Sequence, residues 1–171
     1  MKDNQSTILI VDDEEVIRNI CLRSLTSRGY NVIVAENGAK GLEQLHDCQI
    51  DIVFTDYKMP IMNGIELLER IKVDYPHVEV IMMTAFATIE SAIQAMKNGA
   101  YDFILKPVKP DQIRLVTEKC LEKLRLDDEN KKLKDANRKL LDLQEMKDKF
   151  IAITSHELRT PVSHLKGYID I

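Results

Sequence analysis

The sequence predicts an α/β fold in which five parallel strands form a doubly wound sheet, followed by a long C-terminal α-helix. Short apolar segments alternate with amphipathic segments over residues 7 to 107. Strands that alternate with helices form βαβ crossovers and a parallel sheet covered on both faces. Residues 111 to 150 contain neither glycine nor proline and are rich in Lys, Asp, Glu and Leu, a composition that favours one continuous helix.

Five short apolar segments are predicted to be strands because they contain many β-formers and lack a helical period. They are Ile8–Val11, Val32–Ala35, Ile52–Thr55, Val78–Met83 and Asp102–Leu105. The intervening segments have apolar residues at helical spacing, which predicts helices at Glu14–Ser27, Gly38–Leu45, Gly64–Asp74 and Ile89–Lys97. Gly29 and Gly99 follow two of these helices, where a left-handed residue commonly ends a helix.

Length and composition limit the possible functions. The 171 residues allow one domain of ordinary size with an appendage, and the net charge of -4 argues against a nucleic-acid partner. Cys21, Cys48 and Cys120 are odd in number and widely spaced, which indicates reduced intracellular thiols. The sequence shows no signal peptide and no apolar run that could cross a bilayer. We therefore expect a cytoplasmic protein without direct membrane contact.

Polar side chains follow four of the predicted strands. Asp12 and Asp13 follow the first, Asp56 the third, Thr84 the fourth and Lys106 the fifth. Because the carboxyl ends of parallel strands share one edge of a sheet, we expect these side chains to line one shallow cleft. Three carboxylates repel one another unless a cation shares them, and oxygen ligands in a partly open site suit Mg²⁺. The cleft predicts phosphoryl transfer to a carboxylate, with the metal and the lysine offsetting the developing charge.

Residues 7 to 120 resemble the receiver domain of two-component response regulators, which has a flavodoxin-like fold. The resemblance rests on four motifs. They are a pair of aspartates after the first strand, an acceptor aspartate followed by Met-Pro and then Asn-Gly, a Thr-Ala pair after the fourth strand, and a Lys-Pro pair after the fifth. In this sequence they are Asp12, Asp13, Asp56, Met59, Pro60, Asn63, Gly64, Thr84, Ala85, Lys106 and Pro107.

The resemblance implies roles for the acidic residues. Asp56 would accept the phosphoryl group from a histidine kinase or a phosphotransfer protein. Asp13, Asp56 and the carbonyl oxygen of Lys58 would bind Mg²⁺, with Asp12 close behind. An alternative is an interaction module of the same fold that is never phosphorylated, and the complete acidic set argues against it.

The resemblance also implies roles for residues on the last two strands. Thr84 and Lys106 would bind the phosphoryl group. The switch aromatic of the family falls on Phe103 rather than on a tyrosine, so it could move inward with Thr84 but could not donate a hydrogen bond. The bond between Lys106 and Pro107 is a candidate cis peptide.

The long helix carries apolar residues largely three and four positions apart. They are Leu126, Leu133, Ala136, Leu140, Leu143 and Phe150. This spacing predicts a coiled coil, and because so polar a helix needs a partner helix we expect a homodimer. Lys147 interrupts the spacing, and Met146 offers a shifted register. The alternative is a solvated, partly frayed linker.

The final segment contains the run S-H-E-L-R-T-P at residues 155–161. A histidine on an exposed helix face can present a neutral ring nitrogen as a nucleophile, and a neighbouring carboxylate can accept a proton. The run resembles the H-box in the phosphoacceptor domain of sensor histidine kinases. By that resemblance His156 is a phosphoacceptor, Glu157 its acid/base partner and Thr160 the residue that positions water in the reverse, phosphatase reaction. His164 has no assigned role.

These features predict three divisions: a receiver over residues 1–120, a signalling helix over 111–150 and a truncated phosphoacceptor helix over 151–171. The chain reaches Ile171 without a second phosphoacceptor helix or an ATP-binding box. We therefore expect the N-terminal part of a hybrid histidine kinase, in which Asp56 regulates a kinase module containing His156. This chain alone would catalyse at most phosphorylation and dephosphorylation at Asp56. The alternative is a response regulator with a dimerising stalk and an inert H-box.

Overall fold

The computed structural model describes the backbone of residues 6–85 and 89–169, and the side chains of residues 6–85 and 93–151 and of Thr154. Strands and helices alternate along these residues. The strands are β1 (Thr7–Val11), β2 (Asn31–Ala35), β3 (Ile52–Asp56), β4 (Glu79–Thr84) and β5 (Asp102–Leu105). The helices are α1 (Glu15–Thr26), α2 (Gly38–Asp47), α3 (Gly64–Asp74), α4 (Ile89–Lys97) and α5 (Pro110–Ile169).

The strands form one sheet in the order β2-β1-β3-β4-β5, and every neighbouring pair is parallel. All residues of β3 and β4 are buried, whereas only Ala35 of the edge strand β2 is buried. Central parallel strands are covered on both faces, which explains why the segment at Ile52–Phe54 is almost wholly apolar. The predicted fold class is confirmed.

The buried side chains lie on both faces of the sheet because successive strand residues point to opposite sides. One face contributes Leu9 and Val53 to a buried cluster that includes Leu67 of α3. On the other face Ile10 and Phe54 are fully buried. Helices α1 and α5 cover that second face. They are joined by a hydrogen bond that the Ser24 hydroxyl of α1 donates to the carbonyl oxygen of Pro110, the first residue of α5, at 3.2 Å. Helices therefore cover both faces of the sheet, as the doubly wound prediction requires.

For the five strands and the first four helices, the predicted boundaries coincide with the observed ones or differ from them by one or two residues. Helix α1 begins at Glu15 because Glu14 is its N-cap residue and has an extended backbone, with φ -79° and ψ 111°. Gly29 and Gly99 have φ of 87° and 92°, which confirms the predicted left-handed positions. The bond between Lys106 and Pro107 is cis, as expected.

The chain forms two compact units, Met1–Glu122 and Lys123–Ile171. The first contains the sheet and its helices, and the second contains the part of α5 that follows Glu122. The divisions predicted near residues 120 and 151 stay predictions. Across the described residues, none of the helices combines the length and the apolar character needed to cross a membrane.

Candidate functional site

The carboxyl edge of the sheet carries a cleft of about 260 Å³. Its lining comes from the ends of the central strands and from the turns that follow them: Asp13, Glu14, Asp56, Lys58, Thr84, Ala85 and Lys106. A larger groove of about 530 Å³ lies beside α3 and includes Glu66 and Arg70. Among the described residues, the one group of metal-ligating side chains is at the sheet edge and not in that groove. The smaller cleft is therefore the candidate site.

Three carboxylates meet in this cleft, as the strand ends predict. Asp12, Asp13 and Asp56 each offer an oxygen, and these oxygens lie within 4.8 Å of one another. The turn that carries the first two is fixed by its own hydrogen bonds: Asp12 Oδ1 accepts from the Glu14 backbone N–H at 2.9 Å. Arg18 Nη1 donates to the carbonyl oxygens of Asp12 and Asp13 at 2.7 and 2.9 Å. The acidic pair thus sits on a well-held turn.

Asp56 is positioned by a backbone hydrogen bond and by its close contact with the start of α3. Its Oδ1 accepts a hydrogen bond from the Tyr57 backbone N–H at 2.8 Å. Gly64, the first residue of α3, lies so near the end of β3 that an added Cβ would be 2.1 Å from the Asp56 carbonyl oxygen. Asn63 caps α3 by accepting hydrogen bonds from the N–H groups of Ile65 and Glu66. This explains the asparagine and glycine that follow the aspartate: one starts the helix and the other permits the contact.

Lys106 lies at the centre of the negative charges. Its Nζ is 2.9 Å from Asp12 Oδ2, 2.9 Å from Glu14 Oε1 and 3.2 Å from Asp56 Oδ2. The lysine side chain is only 8% exposed. Asp12 Oδ2 is buried and, among the described residues, receives no hydrogen bond of good geometry despite the nearby ammonium. One buried carboxylate oxygen therefore retains capacity for another positively charged or donating group.

Burial shapes the ionisation of the site. Desolvation raises the pKa of Asp56 and the pKa of Asp12 above their usual values, even though the charge of Lys106 lowers both. Burial acts to lower the pKa of Lys106, but the hydrogen bond to Glu14 and the charges of Asp12 and Asp56 more than offset this effect and raise that pKa above its usual value. The ammonium is thus firmly protonated, and it does not fully compensate the carboxylates.

The donor set fits a magnesium ion. The three clustered aspartates supply only oxygen atoms, and the incompletely satisfied Asp12 Oδ2 is a ligand that a hard cation would accept. A divalent ion would also offset the negative charge that the single ammonium leaves. Lys58 lines the cleft, while its carbonyl oxygen as a further ligand stays a prediction.

The structure brings together the receiver residues that the sequence indicates and adds one. Glu14 contacts Lys106, whereas the sequence pattern predicts only that it starts a helix; the run of four consecutive acidic residues after β1 is the available signal. Phe103 is partly buried against the core cluster. The backbone of His156, Glu157 and Thr160 belongs to α5, but their side chains lie outside the described residues, so their roles stay predictions.

Fold and cleft together define a doubly wound α/β domain with an acidic, lysine-containing site at the carboxyl edge of its sheet. The family described as the response regulator receiver domain matches residues 8–118. The chain belongs to this family, and its receiver is of the two-component type.

Named relatives and solved structures agree with this assignment. Transcriptional regulatory protein ZraR of Klebsiella oxytoca is 36% identical over 128 residues, which are 75% of this chain and 29% of that protein. The crystal structure of NtrX from Brucella abortus has a TM-score of 0.72 and 35% identity, covering 75% of this chain and 29% of that one. A CheY-like receiver domain protein from Methanospirillum hungatei has a TM-score of 0.66 and 33% identity, covering 74% of this chain and 99% of that one.

The chain spans less than a third of the length of the curated relatives it matches. The predicted resemblance to a receiver domain is confirmed. The relatives named above carry the names of regulators and not of histidine kinases, so the kinase part of the expectation rests on the sequence run at residues 155–161 alone.

Replacing Asp56 with asparagine should stabilise the fold at neutral pH when no divalent metal is present. Because the folded-state pKa of Asp56 is raised by burial, its ionisation costs the folded state free energy once the pH rises above the unfolded value of about 3.9. Asparagine cannot ionise, so the advantage of Asp56→Asn should be full at about pH 7.5 and shrink towards about pH 4. Urea unfolding of both proteins with a chelator present measures this difference.

Glu36→Gln is the matched control for this prediction. The pKa of the exposed Glu36 is lowered by its hydrogen bond from Lys40, so removing that carboxylate should give no stabilisation at neutral pH. A stability difference for Asp56→Asn that grows as the pH falls would contradict the prediction.

Proposed function

We propose that Asp56 accepts a phosphoryl group in a Mg²⁺-dependent reaction, and that this is the signalling event of the receiver. The observation that carries the proposal is the Lys106 ammonium 3.2 Å from Asp56 Oδ2, inside a cleft where the three aspartates converge. Asp56 is 7% exposed, so a donor can reach it through the cleft while bulk water is largely kept away. A non-enzymatic binding module would not need this convergence of charges.

The residues of the cleft have complementary roles in this proposal. An oxygen of Asp56 attacks phosphorus, and the bond from phosphorus to the leaving group of the donor breaks. Lys106 and Thr84 line the cleft, where an ammonium and a hydroxyl can donate to the phosphoryl oxygens. Asp12, Asp13, Asp56 and the Lys58 carbonyl would hold Mg²⁺, which when bound offsets charge on the transferring group.

The phosphodonor is proposed to be a histidine kinase or a phosphotransfer protein, because receivers of the two-component type obtain their phosphoryl group from such partners. A small phosphodonor can replace that partner in a test, since the proposed catalytic groups all belong to this chain. The chain would then catalyse its own phosphorylation and dephosphorylation without an ATP-binding domain.

Incubation with Mg²⁺ and acetyl phosphate should add one phosphoryl group to the chain. The adduct should be lost in alkali, as an acyl phosphate is, and the same treatment of Asp56→Asn should give less than about a tenth of the labelling. Intact mass spectrometry measures both. Labelling that persists in Asp56→Asn, or that needs no divalent metal, would argue against Asp56 as the Mg²⁺-dependent acceptor.

We further propose that α5 carries the output through a homodimeric coiled coil. The described part of α5 after Glu122 exposes a series of large apolar side chains: Leu126, Leu133, Leu140, Leu143, Met146 and Phe150. Phe150, for example, is 69% exposed. Ion pairs such as Lys149–Glu145, at 2.7 Å, support the helix itself, but its apolar residues need a partner helix. Phosphorylation of Asp56 would alter the pairing through inward movement of Thr84 and Phe103.

Crosslinking between single cysteines should detect this pairing. Leu133→Cys and Leu140→Cys lie on the apolar series and should form disulfide-linked dimers, whereas Arg138→Cys, which lies off the series, should form several-fold less. Cys48 is replaced beforehand, whereas Cys21 and Cys120 are buried and can stay; burial also raises the pKa of the Cys21 thiol to about 12. The yield at the two leucine positions should change after phosphorylation. Equal crosslinking at all three positions would exclude a defined coiled coil.

The helix leads to His156, and two outputs are compatible with it. In the favoured proposal a kinase module uses His156 as phosphoacceptor, with Glu157 and Thr160 assisting, as the H-box run implies. In the alternative the helix is a stalk that connects the receiver to a separate output domain of a longer protein. Because transcriptional regulators are among the relatives, one such output would be binding to a nucleic acid. The favoured proposal rests on the continuous helix that contains residues 155–161.

Labelling of His156 separates the two outputs. A separate ATP-binding kinase fragment with radiolabelled ATP should introduce acid-labile, alkali-stable phosphate that is lost in His156→Gln and retained in His164→Gln. An unlabelled His156, seen either as no label in the wild type or as full retention of label in His156→Gln, would favour the stalk. The labelling is measured in proteins that also carry Asp56→Asn, because this substitution prevents acyl phosphate formation and leaves phosphohistidine as the signal.

A further inference from the structure

Glu14 is the charged residue of the cleft lining to which the proposed function gives no role. Its Oε1 accepts a hydrogen bond from Lys106 Nζ at 2.9 Å. Its side chain is 59% exposed, whereas the Asp12 side chain that contacts the same ammonium is fully buried. Glu14 lines the cleft but does not belong to the cluster formed by Asp12, Asp13 and Asp56. It therefore meets Lys106 from the solvent side of the cleft.

The main chain of Glu14 is held in place independently of its side chain. Its N–H donates to Asp12 Oδ1, and its carbonyl oxygen accepts from the N–H groups of Ile17 and Arg18, both at 3.1 Å. Although Glu14 is the N-cap residue of α1, its side chain makes no capping hydrogen bond. The carboxylate is directed instead to the ammonium group that the phosphoryl group is proposed to use.

We propose that Glu14 competes with the incoming phosphoryl group for Lys106 and slows phosphorylation of Asp56 by doubly negative donors. This inference rests on the proposed acceptor role of Asp56. With acetyl phosphate, an Asp56 oxygen forms a bond to phosphorus, and the bond between phosphorus and the acetate oxygen breaks. Acetate leaves with the electron pair, and no proton is transferred. Lys106 can assist only when its donor turns from Glu14 to a phosphoryl oxygen.

Two physical effects act in the same direction. The hydrogen bond between Glu14 and Lys106 has to be exchanged before the ammonium is available to the donor. The carboxylate also places a negative charge beside the path of an anionic donor, which raises the free energy of its approach. Glu14 is exposed and the second effect is screened by salt, so the expected influence is moderate. It grows with the negative charge of the donor.

The rate of Asp56 labelling in Glu14→Gln tests the inference. With acetyl phosphate, Mg²⁺ and low salt, we expect the variant to react about three to ten times faster than the wild type. Phosphoramidate carries less negative charge at neutral pH because its nitrogen is protonated, so the acceleration should be smaller with that donor. High salt should reduce the acceleration with acetyl phosphate. These two dependences would not follow from a purely structural effect of the substitution.

Glu15→Gln is the matched control, because it removes the same charge from the next residue, an exposed position in the first turn of α1 that does not line the cleft. Its rate should change less than about twofold. Glu14→Asp retains the charge on a shorter side chain and should give an intermediate rate; it also serves if Glu14→Gln folds poorly.

The possible outcomes separate the two proposals. A rate for Glu14→Gln that is unchanged, slower, or equal to that of Glu15→Gln would overturn the competition. Equal acceleration with both donors would do the same. If neither wild type nor any variant is labelled at Asp56, the proposed acceptor function fails and this inference fails with it.

Discussion

Carboxylates gathered at one edge of the sheet repel one another, and a single buried ammonium group holds them together. Lys106 lies within 3.2 Å of oxygens from Asp12, Glu14 and Asp56. The parallel sheet creates this situation because its strands end at the same edge, and burial intensifies it by removing solvent that would otherwise stabilise the charges. Desolvation by burial is the main reason that the pKa values of Asp12 and Asp56 are raised, and repulsion from a neighbouring carboxylate adds to it, while Lys106 acts in the opposite direction.

The surrounding fold keeps these groups from relaxing apart. Fully buried strands supply a rigid base for Asp56 and Thr84. Arg18 fixes the turn of the acidic pair through its carbonyl oxygens. A site held in this way retains an unfavourable concentration of negative charge that a divalent cation would relieve. The same excess charge that costs stability is then a source of ligand affinity.

Much of this arrangement could be predicted from the sequence. Short apolar segments such as Ile52–Thr55 predict a parallel sheet covered on both faces, and the polar residues at the strand ends predict the cleft. The contact between Glu14 and Lys106 could not be predicted in this way, because it depends on where the end of the Lys106 side chain lies in the cleft. The sequence likewise does not predict the close contact between Gly64 and the Asp56 carbonyl oxygen. Such contacts depend on tertiary geometry, whereas strand and helix periods are local properties.

The position of Gly64 has a mechanical consequence. The first residue of α3 touches the main chain of the aspartate with no space for even a methyl group between them, and the capping hydrogen bonds of Asn63 fix the first turn of that helix. A displacement of the end of β3 towards α3 would therefore press directly on the start of the helix. The start of α3 would then move with the end of β3, so a change at the acidic site would shift α3 as a rigid element.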